Sequence, residues 1–137
     1  MGLSDTDVKE IKEANDKVMK SFMALDSGRF SEMCSSDAIM VSHDAKIFQA
    51  QGETSLKNWF DESMSEFEPF EFEYDIHDIS GDEKSAYILC SSKVNPEIPG
   101  SDEMPEPETD ACLSVFEKQD DYSWKMKLHM YCIADKK

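Results

Sequence analysis

The chain has 137 residues and a formal charge of −16, with 30 acids against 14 Lys and Arg. That length suits one domain, able to bury about two thirds of its unfolded surface without staples. The charge argues against nucleic acid or anionic membrane, which need a cationic face, so neither is an expected partner. With 39% hydrophobic and 10% aromatic residues, the chain has enough apolar mass to fold. No apolar run approaches the roughly 20 residues of a bilayer span.

The amino terminus has neither a basic stretch nor an apolar core, so no signal peptide is expected. Gly2 and Thr6 fit an acylation pattern, but Asp5 and Asp7 make the context poor. The four cysteines, Cys34, Cys90, Cys112 and Cys132, are widely spaced and lack any CxxC motif. Free buried thiols and a cytoplasmic location are the expectation. No cofactor or metal site is suggested, because the three histidines share no ligand spacing.

Val8, Ile11, Asn15, Val18, Phe22 and Leu25 recur every three or four residues, which predicts a first helix. Gly28 stands where a left-handed cap is expected. A short second helix follows over 29–34, carrying Phe30 and Met33 inward. Residues 38–42 and 47–49 read as short strands around a turn that holds His43. Leu56, Trp59, Phe60, Met64 and Phe67 mark a third helix after Gly52, stopped by Pro69.

Four strands are predicted next. Residues 70–79 alternate, with Phe70, Phe72, Tyr74 and Ile76 on one face. Residues 84–94 return after a Ser80–Glu83 turn. Residues 95–110 hold four prolines and six acids, which reads as a solvated loop. Residues 111–117 and 122–133 form the last pair. Strict alternation in the last strand turns Trp124, Met126, Leu128, Met130 and Cys132 inward. It turns His129 and Tyr131 outward.

The result is a single α+β domain over 1–137, in the order α-α-β-β-α-β-β-β-β, with helices gathered on a curved antiparallel sheet. Phe22, Met40, Trp59, Tyr74, Met126 and Met130 are expected to line its inner face, with Asn15 as a polar interruption. A wall of methionine and aromatic side chains suits an apolar small molecule, or simply fills the interior. Residues 61–83 carry ten acids and no Lys or Arg, a solvated face or a docking surface for a basic protein partner.

Leu25-Asp26-Ser27-Gly28, Ser36 to Val41, Gly52 with Leu56, Trp59 and Phe60, and Trp124-Lys125-Met126 occur in an order that resembles the nuclear transport factor 2-like, or SnoaL-like, superfamily. The resemblance spans residues 5–134. It implies a cystatin-like cone closed by three helices, with an interior pocket and a homodimer packed through the sheets. Phe116, His129, Tyr131 and Ile133 are then the expected dimer residues.

The superfamily includes isomerases, dehydratases, transport adaptors and kinase association domains, so fold alone does not give function. A ketosteroid isomerase needs a base and two oxyanion donors. Matching puts Ser42 at the position of the base and Ser21 at that of the Tyr donor. No acid stands in residues 111–115 for the second donor. A slip of one or two residues makes His43 the candidate base.

The expectation is a non-catalytic, homodimeric binding or association module. The alternatives are an isomerase or dehydratase, and an oligomerisation domain like the association domain of calcium/calmodulin-dependent kinase II.

Overall fold

The computed structural model describes residues 3–42, 45–65, 72–94 and 109–133, with the side chains of all but 72, 92–94, 109–110 and 131–133. The elements are α1 (Asp5–Ala24), α2 (Ser27–Glu32), β1 (Cys34–Val41), β2 (Ile47–Gln49), α3 (Glu53–Ser63), β3 (Phe72–Gly81), β4 (Ser85–Val94), β5 (Thr109–Lys118) and β6 (Trp124–Ile133). Their order is the one the sequence predicts, and the class is α+β. His43 lies outside the described residues, as does most of the Pro-rich stretch.

α1 starts where Ser4 accepts the Asp7 N–H at 3.0 Å, with Asp5 and Asp7 in the first turn. Its stripe buries Ile11, Ala14, Asn15, Val18 and Met19. The helix ends at Leu25, whose φ of 55° is left-handed, rather than at Gly28. Asp26 intervenes: its carboxylate accepts the Arg29 N–H at 3.0 Å and starts α2 early enough to absorb Gly28.

All six strands form one sheet, in the order β2-β1-β6-β5-β4-β3. The last four strands are an antiparallel meander, and β1 joins β6 in parallel. Phe22, Phe30, Phe60, Trp59 and Phe48 pack in a chain of rings with centroids 4.9 to 5.8 Å apart. That cluster joins the three helices to β2 through Phe48.

β1 shifts register against β6 between Cys34 and Ile39, and within the meander two bulges set which side chains face inward. Ile76 pairs with Cys90 while Asp78 pairs with Leu89, so His77 is an extra residue in β3. Val115 pairs with Leu128 while Phe116 pairs with Met126, so Lys127 is an extra residue in β6. A bulged residue breaks the period of two, and every later side chain changes face. Trp124 and Met126 point inward as predicted, but beyond Lys127 it is His129 that is buried. Leu128 and Met130 are half-buried on the outer face, alongside Val115 and Leu113.

Three expectations are therefore corrected. His129 is an interior residue, not part of an outer interface. Met130 belongs to the outer face, not to the interior wall. Phe116 is also wholly buried, since the even positions of β5, Cys112, Ser114 and Phe116, all face the core. Its odd positions, Leu113 and Val115, are apolar too, so alternation gives no signal there.

Candidate functional site

The inner wall is built in rows across the sheet. Nearest the β3–β4 and β5–β6 turns, Ala86, Phe116, Met126 and Cys34 share one register row. The next holds Ile88, Ser114, His129 and Met40. The third holds Ile76, Cys90 and Cys112. Polarity thus grows away from the turns, and α1 covers the polar part with Asn15 and Asp16.

His129 Nδ1 and Ser114 Oγ are hydrogen-bonded at 2.9 Å, and the imidazole lies 5.8 Å from the Phe22 ring. Burial holds the imidazole down at about 4, so it is neutral at neutral pH. Asn15 is fully buried; its Nδ2 donates to Cys90 Sγ at 3.8 Å, while its Oδ1 has no hydrogen-bond partner. Such an orphan costs about 1–3 kcal/mol in a folded protein.

Tyr74 donates its hydroxyl to Asp16 Oδ1 at 2.9 Å. Burial first, and then the Asp16 carboxylate, raise the phenol above its ordinary range. Asp16 is itself held below the usual carboxylate range by Lys20, 2.8 Å away.

The thiols divide. Burial pushes Cys34 up to about 12. Cys112 beside Cys90, and then the Asn15 amide, pull Cys90 below its ordinary value against the effect of burial. Cys90 and Cys112 face each other directly across β4 and β5.

Of the expected wall residues, Asn15, Met40 and Met126 are buried in the core, and Phe22, Trp59 and Tyr74 are half-buried against it. The side chains of Tyr131 and Ile133 lie outside the described residues. Ser21, matched to the Tyr donor of the isomerases, is buried and turns its hydroxyl back to Val18 O at 2.6 Å. Sequence reasoning missed Ser114, Cys90 and Cys112 as wall residues. Their shared even parity on β4 and β5 was the available signal. An open hollow of about 740 Å³ lies elsewhere, at the turn end, between Lys84, Glu117, Lys118 and Tyr122.

On the outer face, two apolar rows cross four strands. Ile39, Leu128, Val115 and Tyr87 form one; Val41, Met130, Leu113 and Leu89 form the other. All eight are half-buried or exposed, with Tyr87 at 37% and Leu89 at 40%. Tyr87 also donates to Asp78 Oδ2 at 2.6 Å, which marks the polar rim on β3.

No curated protein matches this sequence. Solved structures do match in fold. A ketosteroid isomerase-like protein from Erwinia carotovora atroseptica gives a TM-score of 0.77 at 14% identity, covering 97% of this chain and 100% of that one. A candidate dehydratase of the nuclear transport factor 2-like family from Streptomyces avermitilis gives 0.77 at 18%, covering 97% and 100%. A candidate calcium/calmodulin-dependent protein kinase type II association domain from Thiobacillus denitrificans gives 0.75 at 11%, covering 90% and 94%. These identities carry the fold and no shared activity. The family model of the SnoaL-like domain matches residues 11–135, and the chain belongs to that family.

Proposed function

We propose that this chain is a non-catalytic association module that forms a homodimer through the outer face of its sheet. The observation that carries the reading is the pair of apolar rows across β1, β6, β5 and β4. Eight apolar side chains in two adjoining rows make a contiguous patch of the kind that marks an interaction site. A two-fold dimer sets such a patch against its own copy. Leu89, Leu113, Val115, Leu128 and Met130 take the place of Phe116 and His129 as its contact residues.

The interior supports the non-catalytic part. Ser21 is turned into its own helix, and the inner positions of β5 are Cys112, Ser114 and Phe116, where an isomerase of this superfamily has an acid. Native mass spectrometry tests the reading. A dimer that Leu113→Asp converts to a folded monomer supports it. A wild-type monomer at tens of micromolar, an order of magnitude at which standard-sized interfaces are filled, overturns it.

One observation favours a second reading. The bulge at Lys127 places a neutral imidazole, His129, inside the cone, hydrogen-bonded to Ser114 and next to the Phe22 ring. A neutral imidazole with a hydroxyl partner is the equipment of proton transfer in an isomerase or dehydratase. The same measurement separates the two. A small molecule retained as extra mass on the wild-type dimer, and lost in His129→Leu, moves the small-molecule reading first. A ring of many subunits would instead favour the likeness to the kinase association domain.

A further inference from the structure

The reactive feature of the interior that the proposed association does not use is the pair of cysteines on its wall. Cys90 and Cys112 sit opposite one another on neighbouring antiparallel strands, and neither is in a disulfide. The Lys118 N–H donates to Lys84 O at 2.8 Å, one register step beyond the Ser85–Glu117 pair. Hydrogen-bonded pairs recur at every second step of an antiparallel ladder, so Cys90 and Cys112 form one of them. Their Cα atoms are then about 5.5 Å apart, inside the disulfide window. Their Cβ atoms, about 5.5 Å apart, are wider than an unstrained bridge prefers. Such a bond forms with strain and is easily reduced again, which is the behaviour of a switch rather than a staple.

Cys90 is the one prepared to react. Its sulfur accepts the Asn15 amide at 3.8 Å, so a negative charge there has a donor aimed at it. The same contacts lower its thiol, whereas Cys34, packed in apolar surroundings, is raised. The second independent sign is Asn15 Oδ1, buried and unpartnered on the same side chain. An oxygen-bound intermediate on Cys90 brings an O–H donor within reach of that orphan acceptor.

We propose that Cys90 and Cys112 are a reversible redox pair inside the cone, oxidised by hydroperoxides to a cross-strand disulfide. The Cys90 thiolate attacks one oxygen of the hydroperoxide and the O–O bond breaks. Cys90 becomes a sulfenic acid, and the other oxygen leaves as an alcohol, or as water when the oxidant is hydrogen peroxide. The Cys112 sulfur then attacks the Cys90 sulfur. The S–O bond breaks, and the hydroxyl leaves as water with the Cys112 proton. Two thiols give up two electrons and two protons to one hydroperoxide. The new bond joins the two strands on either side of residues 95–108.

The test treats the full, reduced chain with a slight excess of hydrogen peroxide and counts thiols by alkylation and intact mass. The expected result is a fall from four thiols to two and a Cys90–Cys112 linked peptide. Glutathione is expected to restore all four. Cys112→Ser is expected to stop at a Cys90 sulfenic acid that dimedone traps, and Cys90→Ser to abolish the reaction. Four intact thiols, or first oxidation at Cys34 or Cys132, would overturn the proposal. Peptide mapping of the wild-type chain alone decides this, even where a variant does not fold.

Discussion

The two ends of the inner wall are made differently. Near the turns, Ala86, Phe116, Met126 and Cys34 form a row in which every side chain is buried and apolar. Further along, Ser114 and His129 share one row and Cys90 and Cys112 the next, under the unpartnered Oδ1 of Asn15. Both ends are equally hidden from water, so burial alone does not separate them. Each end also holds a buried polar atom without a hydrogen-bond partner, Trp124 Nε1 near the turns and Asn15 Oδ1 further along, so what separates them is the chemistry of the wall side chains. The wall at the first end is apolar, whereas the second carries side chains that can titrate or be oxidised, an imidazole and two thiols.

The largest way to break the comparison is at the apolar end. Phe116→Ala removes a wholly buried ring and is expected to cost about 3–5 kcal/mol, read as a lowered denaturant midpoint with an unchanged slope. A cost under about 1 kcal/mol would mean that this row is not the structural end.

Acid tests the other end. His129 sits at about 4 against an ordinary 6.5, so the unfolded chain takes up the proton first as pH falls. Its contribution is present above 6.5 and is lost as pH falls from 6.5 to about 4, a change of about 3 kcal/mol. The paired aspartates act in the same direction, but below their ordinary 3.8, so the window belongs to the histidine. Stability measured by urea at pH 7 and 4.5 should show the drop, and His129→Gln should flatten it.

Deleting Lys127 sharpens the account of the two faces. Without the extra residue, β6 alternates regularly from Met126 and still keeps His129 inside and Leu128 outside. The expected cost is about 1–2 kcal/mol, including the contact of Lys127 Nζ with Asp37 Oδ2 at 2.6 Å. A refolded core with His129 in solvent, seen as a normal imidazole titration by NMR, would contradict the bulge.

The smallest effect is at Asn15. Asn15→Leu removes the orphan acceptor and a weak bond to sulfur. A gain of about 1 kcal/mol is expected, with slower oxidation of Cys90. A site kept only for stability would lose from this change instead.

Much of the fold was legible because it depends on repeated signals. The α1 stripe, the α3 stripe and the alternation through Tyr74 and Ile76 each rest on several residues that agree. The element order followed from them, and the family resemblance rested on the ordered short motifs from Leu25-Asp26-Ser27-Gly28 to Trp124-Lys125-Met126. Asn15 stood out for the same reason, as the polar break in an apolar stripe. The candidate site was less legible because it hangs on single residues. One lysine at 127 inverts the strand that follows it, and nothing in Lys125-Met126-Lys127-Leu128 distinguishes a bulge from simple alternation. The early start of α2 likewise depends on one carboxylate, that of Asp26. His43, the base suggested by resemblance, lies outside the described residues.

β3 occupies one edge of the sheet and the three-residue β2 the other. A ten-residue edge offers a template for any passing strand, including that of another copy. Here Glu73, Asp75 and Asp78 are exposed along it, and His77 bulges the backbone out of register. Two such edges brought together would set like charges side by side and mismatched ladders face to face. The acidity concentrated in this stretch therefore acts as a fence against growth edge to edge into a fibre.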